Sequence, residues 1–456
     1  MMEKKTILIS GAGLVGSMLA IALKQKGHDV CIFEKRKDLR ASKESAGKSI
    51  NLIITAKGIK ALRDAEIYDV VEKITTPVYG RMMHSLEGEL TYQPYGRDDS
   101  EYNLSVSRGE LNCLLMDKAQ ELGVKIKFQE SLESIDFEAK KASFTSISEA
   151  SYDLFFGADG AGSQTREELK RVYGAGMNDT MTSLGVKYKE LYMPAAKDGG
   201  YPMDKKCLHI WPRGEHMLMA LPNTDGSFTM TVYLPDAMME STDTLDKADT
   251  YFKEYYTDSI EFMPDYAEQF IENPAGFLGV LKCHPWVYED SVCLLGDAAH
   301  AIVPFFGQGM NTGFSDVSFL ISAFDRHPNN ISLAFKEYND FQKLNGDAIA
   351  DLSVENYQIM SAKVADEKYL LRKKIEHQLE NTFPHKYRSR YGMVTYTLMP
   401  YHHAKAAGEV QNEILEQLVS DISDASELNL KRAEELIDAK LIPFMNQHQL
   451  DIARYQ

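Results

Sequence analysis

The run LLGDAAHAIVPFFGQGMNTG, residues 294–313, brings together residue types that seldom share one stretch. Asp297 puts a carboxylate at the end of an apolar segment, and Ala298 and Ala299 follow it. Pro304, Phe305 and Phe306 then precede Gly307, Gly309 and Gly313. A carboxylate at a strand's end can accept hydrogen bonds from hydroxyls, while small residues leave room for an extended molecule to pass. Glycines let the backbone turn close to that molecule and present N–H groups to it. The proline and the phenylalanines would keep water away from its far end. His300, set between alanines at a strand–loop junction, reads as structural.

A second cluster lies at the start of the chain. Gly11-Ala12-Gly13-Leu14-Val15-Gly16 fits GxGxxG. It follows the β-branched run Thr6 to Ser10 and opens a segment in which Leu14, Met18, Leu19, Ala22 and Leu23 recur at helical spacing. Gly27 ends that helix, and Val30 to Phe33 makes a second buried strand with Glu34 at its tip. Strand, glycine turn, helix and strand predict a right-handed parallel βαβ unit. Gly11 would permit the tight turn, Gly13 the approach of a pyrophosphate, and Gly16 close helix–strand packing, with Glu34 placed for ribose hydroxyls. An adenine dinucleotide is the expected ligand. Lys35 and Arg36 suit an adenine or a phosphate as well as they suit a solvated strand end. One fingerprint alone leaves NAD and FAD open. The segment GADGAGSQTR (157–166) and the 294–313 run are two later stretches that could hold a flavin ring far from the pyrophosphate. With FAD bound, the apolar Pro304–Gly307 loop would exclude water from a reactive oxygen adduct.

A third group could recognise a substrate. Arg81 begins RMMHS in an alternating, otherwise neutral stretch, and a guanidinium suits a planar carboxylate because it binds bidentately and stays charged. Taken alone, a strand arginine is more often a surface ion-pair partner. Tyr95 sits in a turn context, between Pro94 and Gly96. Asn356, in DLSVENYQIM, reads as a polar residue on a helix, and Tyr391 reads as core. No Ser/His/Asp arrangement and no metal-ligand spacing competes for the chemistry, so no acid–base residue and no metal is assigned.

The elements that would carry these groups fall into three regions. The dinucleotide-binding domain is expected to be discontinuous, over residues 1–78, 105–180 and 285–325. From Tyr79 the period changes to two, and residues 79–104 and 181–284 read as an inserted antiparallel sheet forming a substrate domain. Helical patterning dominates residues 326–456. The fold class is therefore α/β, α+β overall, with a Rossmann-like domain, an inserted antiparallel sheet and a C-terminal helical region. At 456 residues the chain can bury well-formed cores, and a net charge of −17 argues against nucleic acid as a partner. Five cysteines without CxxC pairing read as reduced thiols, which suits the cytoplasm. No secretory signal or run of about 18 apolar residues is seen, so no membrane anchor is expected. In the tail, Val410, Ile414, Leu415, Leu418, Val419 and Ile422 mark one amphipathic helix, and Ala433, Leu436, Ile437 and Leu441 a second.

GxGxxG with its strand-end acid, GADGxxSxxR and the GD-Pro/Gly run together resemble the FAD-dependent aromatic hydroxylases of the para-hydroxybenzoate hydroxylase type. A second set, GKSINL (47–52), RMMHS (81–85), QPYG (93–96), SVSRGELN (105–112), LHIWPR (208–213), MALPN (219–223), DLSVENY (351–357) and YGMVTY (391–396), resembles the kynurenine 3-monooxygenase family within them. The resemblance implies that Val15, Phe33 to Arg36, Ile53, Arg108, Leu132, Gln164, Asp297, Met310 and Asn311 contact FAD. It also implies that Arg81 and Tyr95 bind the carboxylate of the substrate, with Asn356 and Tyr391 completing the pocket. The implied activity is hydroxylation of L-kynurenine to 3-hydroxy-L-kynurenine by a flavin C4a-hydroperoxide, with NADPH as transient co-substrate and O2 as oxidant. The alternatives are hydroxylation of another aromatic carboxylate, and a non-catalytic FAD-binding scaffold. A monomer or homodimer in the cytoplasm is expected.

Overall fold

Thr6–Ser10, apolar and β-branched, forms a strand in the middle of a six-stranded sheet. In the computed structural model the order across this sheet is Val287–Tyr288, Val292–Leu294, Leu154–Gly157, Thr6–Ser10, Asp29–Glu34 and Lys125–Phe128. All neighbours are parallel except the short edge pair Val287–Tyr288 with Val292–Leu294. The structure describes residues 3–41, 51–362, 367–452 and 455. Residues 47–50 of the GKSINL stretch, and parts of the ranges 1–78 and 326–456, lie outside them.

The helix Leu14–Gln25 runs from the glycine turn back to the second strand, and it buries Leu14, Met18, Leu19, Ile21 and Leu23. These side chains join the largest hydrophobic core, with Ile7, Ile9, Ile32, Leu154 and Phe156 from the sheet. Strands buried on both faces read as continuous apolar runs, which is why Leu154–Gly157 and Val292–Leu294 carry no alternation.

A seven-stranded sheet lies beside this domain. Its order is Gly276–His284, Asn178–Met193, Phe228–Pro235, His216–Pro222, Cys207–Arg213, Gly80–His84 and Leu90–Pro94. Every pairing is antiparallel except that of Cys207–Arg213 with Gly80–His84, which is parallel. Arg81 pairs with Leu208 on one side and Gln93 on the other. Side chains alternate along a strand, so Arg81 and Met83 share one face while Met82 and His84 share the other. On that back face His84 bridges Asp258 at 2.7 Å and His209 at 2.9 Å, tying the helix Thr257–Ile260 to the sheet. A separate core, built on Trp211, Phe228, Phe252 and Phe270, fills the space under these helices.

The helix Ile331–Ala362 starts the C-terminal region, followed by Glu367–Thr382, Arg390–Tyr396 and Tyr401–Val419. In the tail, Ile414, Leu415 and Leu418 are buried against Ala433, Ile437 and Leu441, and Val410, Val419, Ile422 and Leu436 pack at the margin of the same core. No helix of the described residues is long and apolar enough to cross a membrane.

Candidate active site

A single cavity of about 720 Å³ runs from the glycine turn to Arg81. At the turn, Gly11 has φ +103°, and a Cβ there would stand 2.4 Å from the Ala158 carbonyl oxygen. Only glycine fits both demands. Gly13 caps the helix Leu14–Gln25 without a side-chain hydrogen bond, and nothing lies within 4 Å of where its Cβ would be. The first N–H groups of that helix therefore face open space at the positive end of its dipole. Gly16 is not part of the wall. A Cβ on it would meet the Gly11 carbonyl oxygen at 2.0 Å, so it serves close packing within the turn.

Phe33, Glu34, Lys35, Arg36 and Leu132 line this end, as does Val15. Glu34 is already engaged: Oε2 accepts the Ala12 N–H at 2.9 Å, and Oε1 accepts the Arg36 N–H and Nε at 2.9 and 2.8 Å. Burial works against its charge, but the Arg36 side chain and the two backbone N–H groups hold it below the usual carboxylate range. It stays ionised, with lone pairs left for a further donor. Phe33 spends one ring face on Phe144, stacked at 3.7 Å.

Farther along lie Ile53, Arg108, Gln164, Asp297, Gly307 and Met310. Gln164 opens the helix Gln164–Tyr173, whose cap Ser163 donates its hydroxyl to Asp159 at 2.5 Å. Asp297 is exposed toward the cavity at the start of a short helix, just after Gly296 turns the chain at φ +59°. Asn311 stands behind the wall. Its Nδ2 donates to Ile53 O at 2.7 Å and Gly307 O at 2.9 Å, and its Oδ1 accepts the Thr55 N–H at 2.9 Å. All of its side-chain polar groups are used to join two wall segments. His300 also lies off the cavity, with Nε2 2.6 Å from the buried Asp316, which accepts the Gly296 N–H as well.

Open helix N–H groups, space above Gly13 and an ionised acid at the second strand's tip fit the pyrophosphate and ribose of FAD. Glycines and Asp297 farther along leave a passage toward the apolar end, as a long cofactor requires.

At the far end the guanidinium of Arg81 lies beside two phenol rings that stack on each other. Its Cζ is 5.2 Å from the ring centre of Tyr95 and 5.5 Å from that of Tyr391. The two rings are nearly parallel, 5.5 Å apart at 10°. Arg81 makes no ion pair with any carboxylate among the described residues, and its Nε is buried without a hydrogen-bond partner. Tyr391 also stacks on Phe306 at 5.6 Å and accepts a hydrogen bond from Asn103 Nδ2 at 3.0 Å. Asn356 is not in the wall: its Nδ2 donates to Phe305 O at 2.6 Å, which steadies the Pro304–Phe306 turn from behind.

Between these ends the wall is apolar. Phe305, expected there from the sequence, lines it with Leu208, Met219, Leu221, Leu278 and Met360, to which the sequence reading gave no role. For Leu208 and Met219 the signal was present, since both fall on alternating strands within quoted motifs. Met360 comes from the far end of a long helix, and nothing local marks it.

A family model described as an FAD binding domain matches residues 4–327. The kynurenine 3-monooxygenase of Myxococcus xanthus is 40% identical over 455 residues, covering 98% of this chain and 97% of that protein. That of Flavobacterium psychrophilum is 40% identical over 98% of this chain and all of the relative, and that of Dictyostelium discoideum 38% identical over 95% and 97%. Among solved structures, 2-methyl-3-hydroxypyridine-5-carboxylic acid oxygenase superposes with TM-score 0.66 at 18% identity, covering 82% of this chain and 96% of that one. PqsL of Pseudomonas aeruginosa, solved with 2-aminobenzoylacetate, gives TM-score 0.62 at 20% identity over 78% and 99%. These two share the fold. With a strand–glycine–helix dinucleotide site and near full-length likeness to those relatives, the chain belongs to the kynurenine 3-monooxygenase family of FAD-binding proteins.

Proposed function

We propose that this protein is an FAD-dependent monooxygenase that hydroxylates L-kynurenine to 3-hydroxy-L-kynurenine, consuming NADPH and O2. One observation carries the reading: a single cavity has an open dinucleotide turn at one end and, at the other, a guanidinium beside two stacked tyrosines with no carboxylate partner among the described residues.

When bound, FAD supplies the chemistry of accepting reducing equivalents from NADPH and activating O2 for transfer to the ring. Gly11, Gly13 and Val15 would hold its pyrophosphate, Glu34 and the neighbouring Phe33, Lys35, Arg36 and Leu132 its adenosine half, and Asp297 its central hydroxyls. Ile53, Arg108, Gln164 and Met310 line the passage between. Arg81 takes the amino-acid carboxylate, with its charge stabilised by the neighbouring rings of Tyr95 and Tyr391. The aminoaryl ring then extends into the stretch lined by Leu208, Met219, Leu278 and Phe305, where water is excluded. The protein's work is positioning and dryness, which can lower a barrier by several kcal/mol. No base is needed to begin, because the ring amine already donates electron density to the neighbouring carbon. Asn311 and Asn356 act at one remove, by fixing the backbone of Ile53, Gly307 and Phe305. The enzyme works in the cytoplasm, as a monomer or homodimer.

The test is the absorption spectrum of the purified protein, followed by oxygen uptake with NADPH. A flavin spectrum and uptake that L-kynurenine stimulates more than hydroxybenzoate or anthranilate support the reading. A colourless protein, or a preference for one of the other acids, overturns it.

A further inference from the structure

Tyr95 and Tyr391 reach Arg81 from distant segments, one at the end of the edge strand Leu90–Pro94 and the other on the helix Arg390–Tyr396. A buried ion pair joins these segments. Arg388 is 2% exposed, and its Nη2 lies 2.9 Å from Oε1 of Glu101. Glu101 closes the loop that follows Tyr95, accepting the Arg97 N–H at 2.9 Å and the Arg97 Nε at 3.0 Å. The loop is tight, since a Cβ on Gly96 would stand 2.2 Å from the Glu101 Cβ.

On the other side, Arg388 Nη1 lies 3.1 Å from Glu380, whose Oε1 also accepts the Ser389 N–H and hydroxyl, both at 2.9 Å. Ser389 in turn caps the Tyr391 helix by accepting the Gly392 N–H at 3.1 Å. Gly392 has no room for a side chain, because its Cβ would lie 2.7 Å from Arg388 Nε.

The pair is poorly built for stability alone. Arg388 Nε has no hydrogen-bond partner, and a buried ion pair with unmet donors is often no better than apolar residues of the same volume. The best-attested use of such a pair is to fix registry. Here the registry it can fix is the stacking of Tyr95 on Tyr391 beside Arg81.

We propose that Arg388, through Glu101, is a positioning residue for the substrate's carboxylate: it sets the distance between the two tyrosines that hold Arg81 in place. The proposal rests on the reading that Arg81 receives that carboxylate.

The test compares holoenzymes carrying Arg388→Met, Arg388→Lys and the pair Arg388→Met with Glu380→Gln. The ligands are L-kynurenine and 2-aminoacetophenone, an aminoaryl ketone without the amino-acid tail. In Arg388→Met, KM and Kd for L-kynurenine should rise about 10-fold or more, with kcat within twofold of wild type, FAD content intact and affinity for 2-aminoacetophenone unchanged. Arg388→Lys should fall between that variant and wild type. The double variant, which neutralises the buried carboxylate that among the described residues only Arg388 pairs while Glu101 keeps Arg97, should regain folding yield but keep the raised KM. An unchanged KM in every variant that folds, or equal weakening of both ligands, overturns the proposal. A wild-type holoenzyme that ignores L-kynurenine would instead overturn the functional reading and this proposal with it.

Discussion

Replacing Arg81 by methionine should separate binding from folding. The guanidinium lies beside the stacked rings of Tyr95 and Tyr391, with a buried Nε and no carboxylate partner among the described residues. Burying an unpaired charge is unfavourable by several kcal/mol, of which two cation–π contacts return about 2. Methionine keeps the apolar stem and removes the charge, so the thermal midpoint of ligand-free holoenzyme should not fall. Substrate affinity should move the other way. Losing charge-assisted bonds to a buried carboxylate weakens binding by roughly 3 kcal/mol, about 100-fold in Kd. The two effects meet in one thermal-shift titration. With L-kynurenine at about 100 times the wild-type Kd, the wild type should gain about 2.7 kcal/mol of stability and the variant about 0.4 kcal/mol. Flavin absorbance, followed in the same titration, gives Kd directly. Equal stabilisation of both proteins by L-kynurenine would refute the role of Arg81. A large drop in the midpoint of the ligand-free variant would show instead that the guanidinium is structural.

Gly16→Ala would place a Cβ 2.0 Å from the Gly11 carbonyl oxygen, so helix and turn must part; the protein should purify with little FAD, read from its visible spectrum. Burial pushes the Lys57 ammonium, whose Nζ contacts Thr397 O and the Tyr401 ring, down to about 7. The unfolded chain then binds the extra proton between pH 7 and about 10.5, so stability should rise with pH across that window. Lys57→Met should flatten this rise and raise stability at pH 6 by up to about 4 kcal/mol, measured by denaturant unfolding with FAD saturating. Burial lowers the affinity of His300 for its proton, but Asp316 more than offsets this, and the folded value lies above the ordinary one. The stability from this pair is therefore full below about pH 6.5 and fades as pH rises through the folded value. His300→Gln should be most damaging in acid and approach wild type in alkali.

The sequence by itself determined the dinucleotide turn, the acid at the second strand, the change of period at Tyr79 and the helical C-terminal region. Each is encoded in a contiguous stretch, where glycine at a forced φ or an apolar period has one structural meaning. It also pointed to Arg81 and Asp297 as groups with chemistry to do. Only the tertiary structure decided what those groups face. It turned Asn311 and Asn356 onto backbone carbonyls behind the wall, spent part of Glu34, expected to serve ribose hydroxyls, on the N–H of Ala12 in the turn, and gave His300 a buried partner. It also joined Glu101 to Arg388, and Tyr95 to Tyr391, across nearly three hundred residues of chain. Local spacing says which residues share a face of one element. Which faces meet depends on long-range packing, whose driving force is non-directional burial and leaves little trace at any single position.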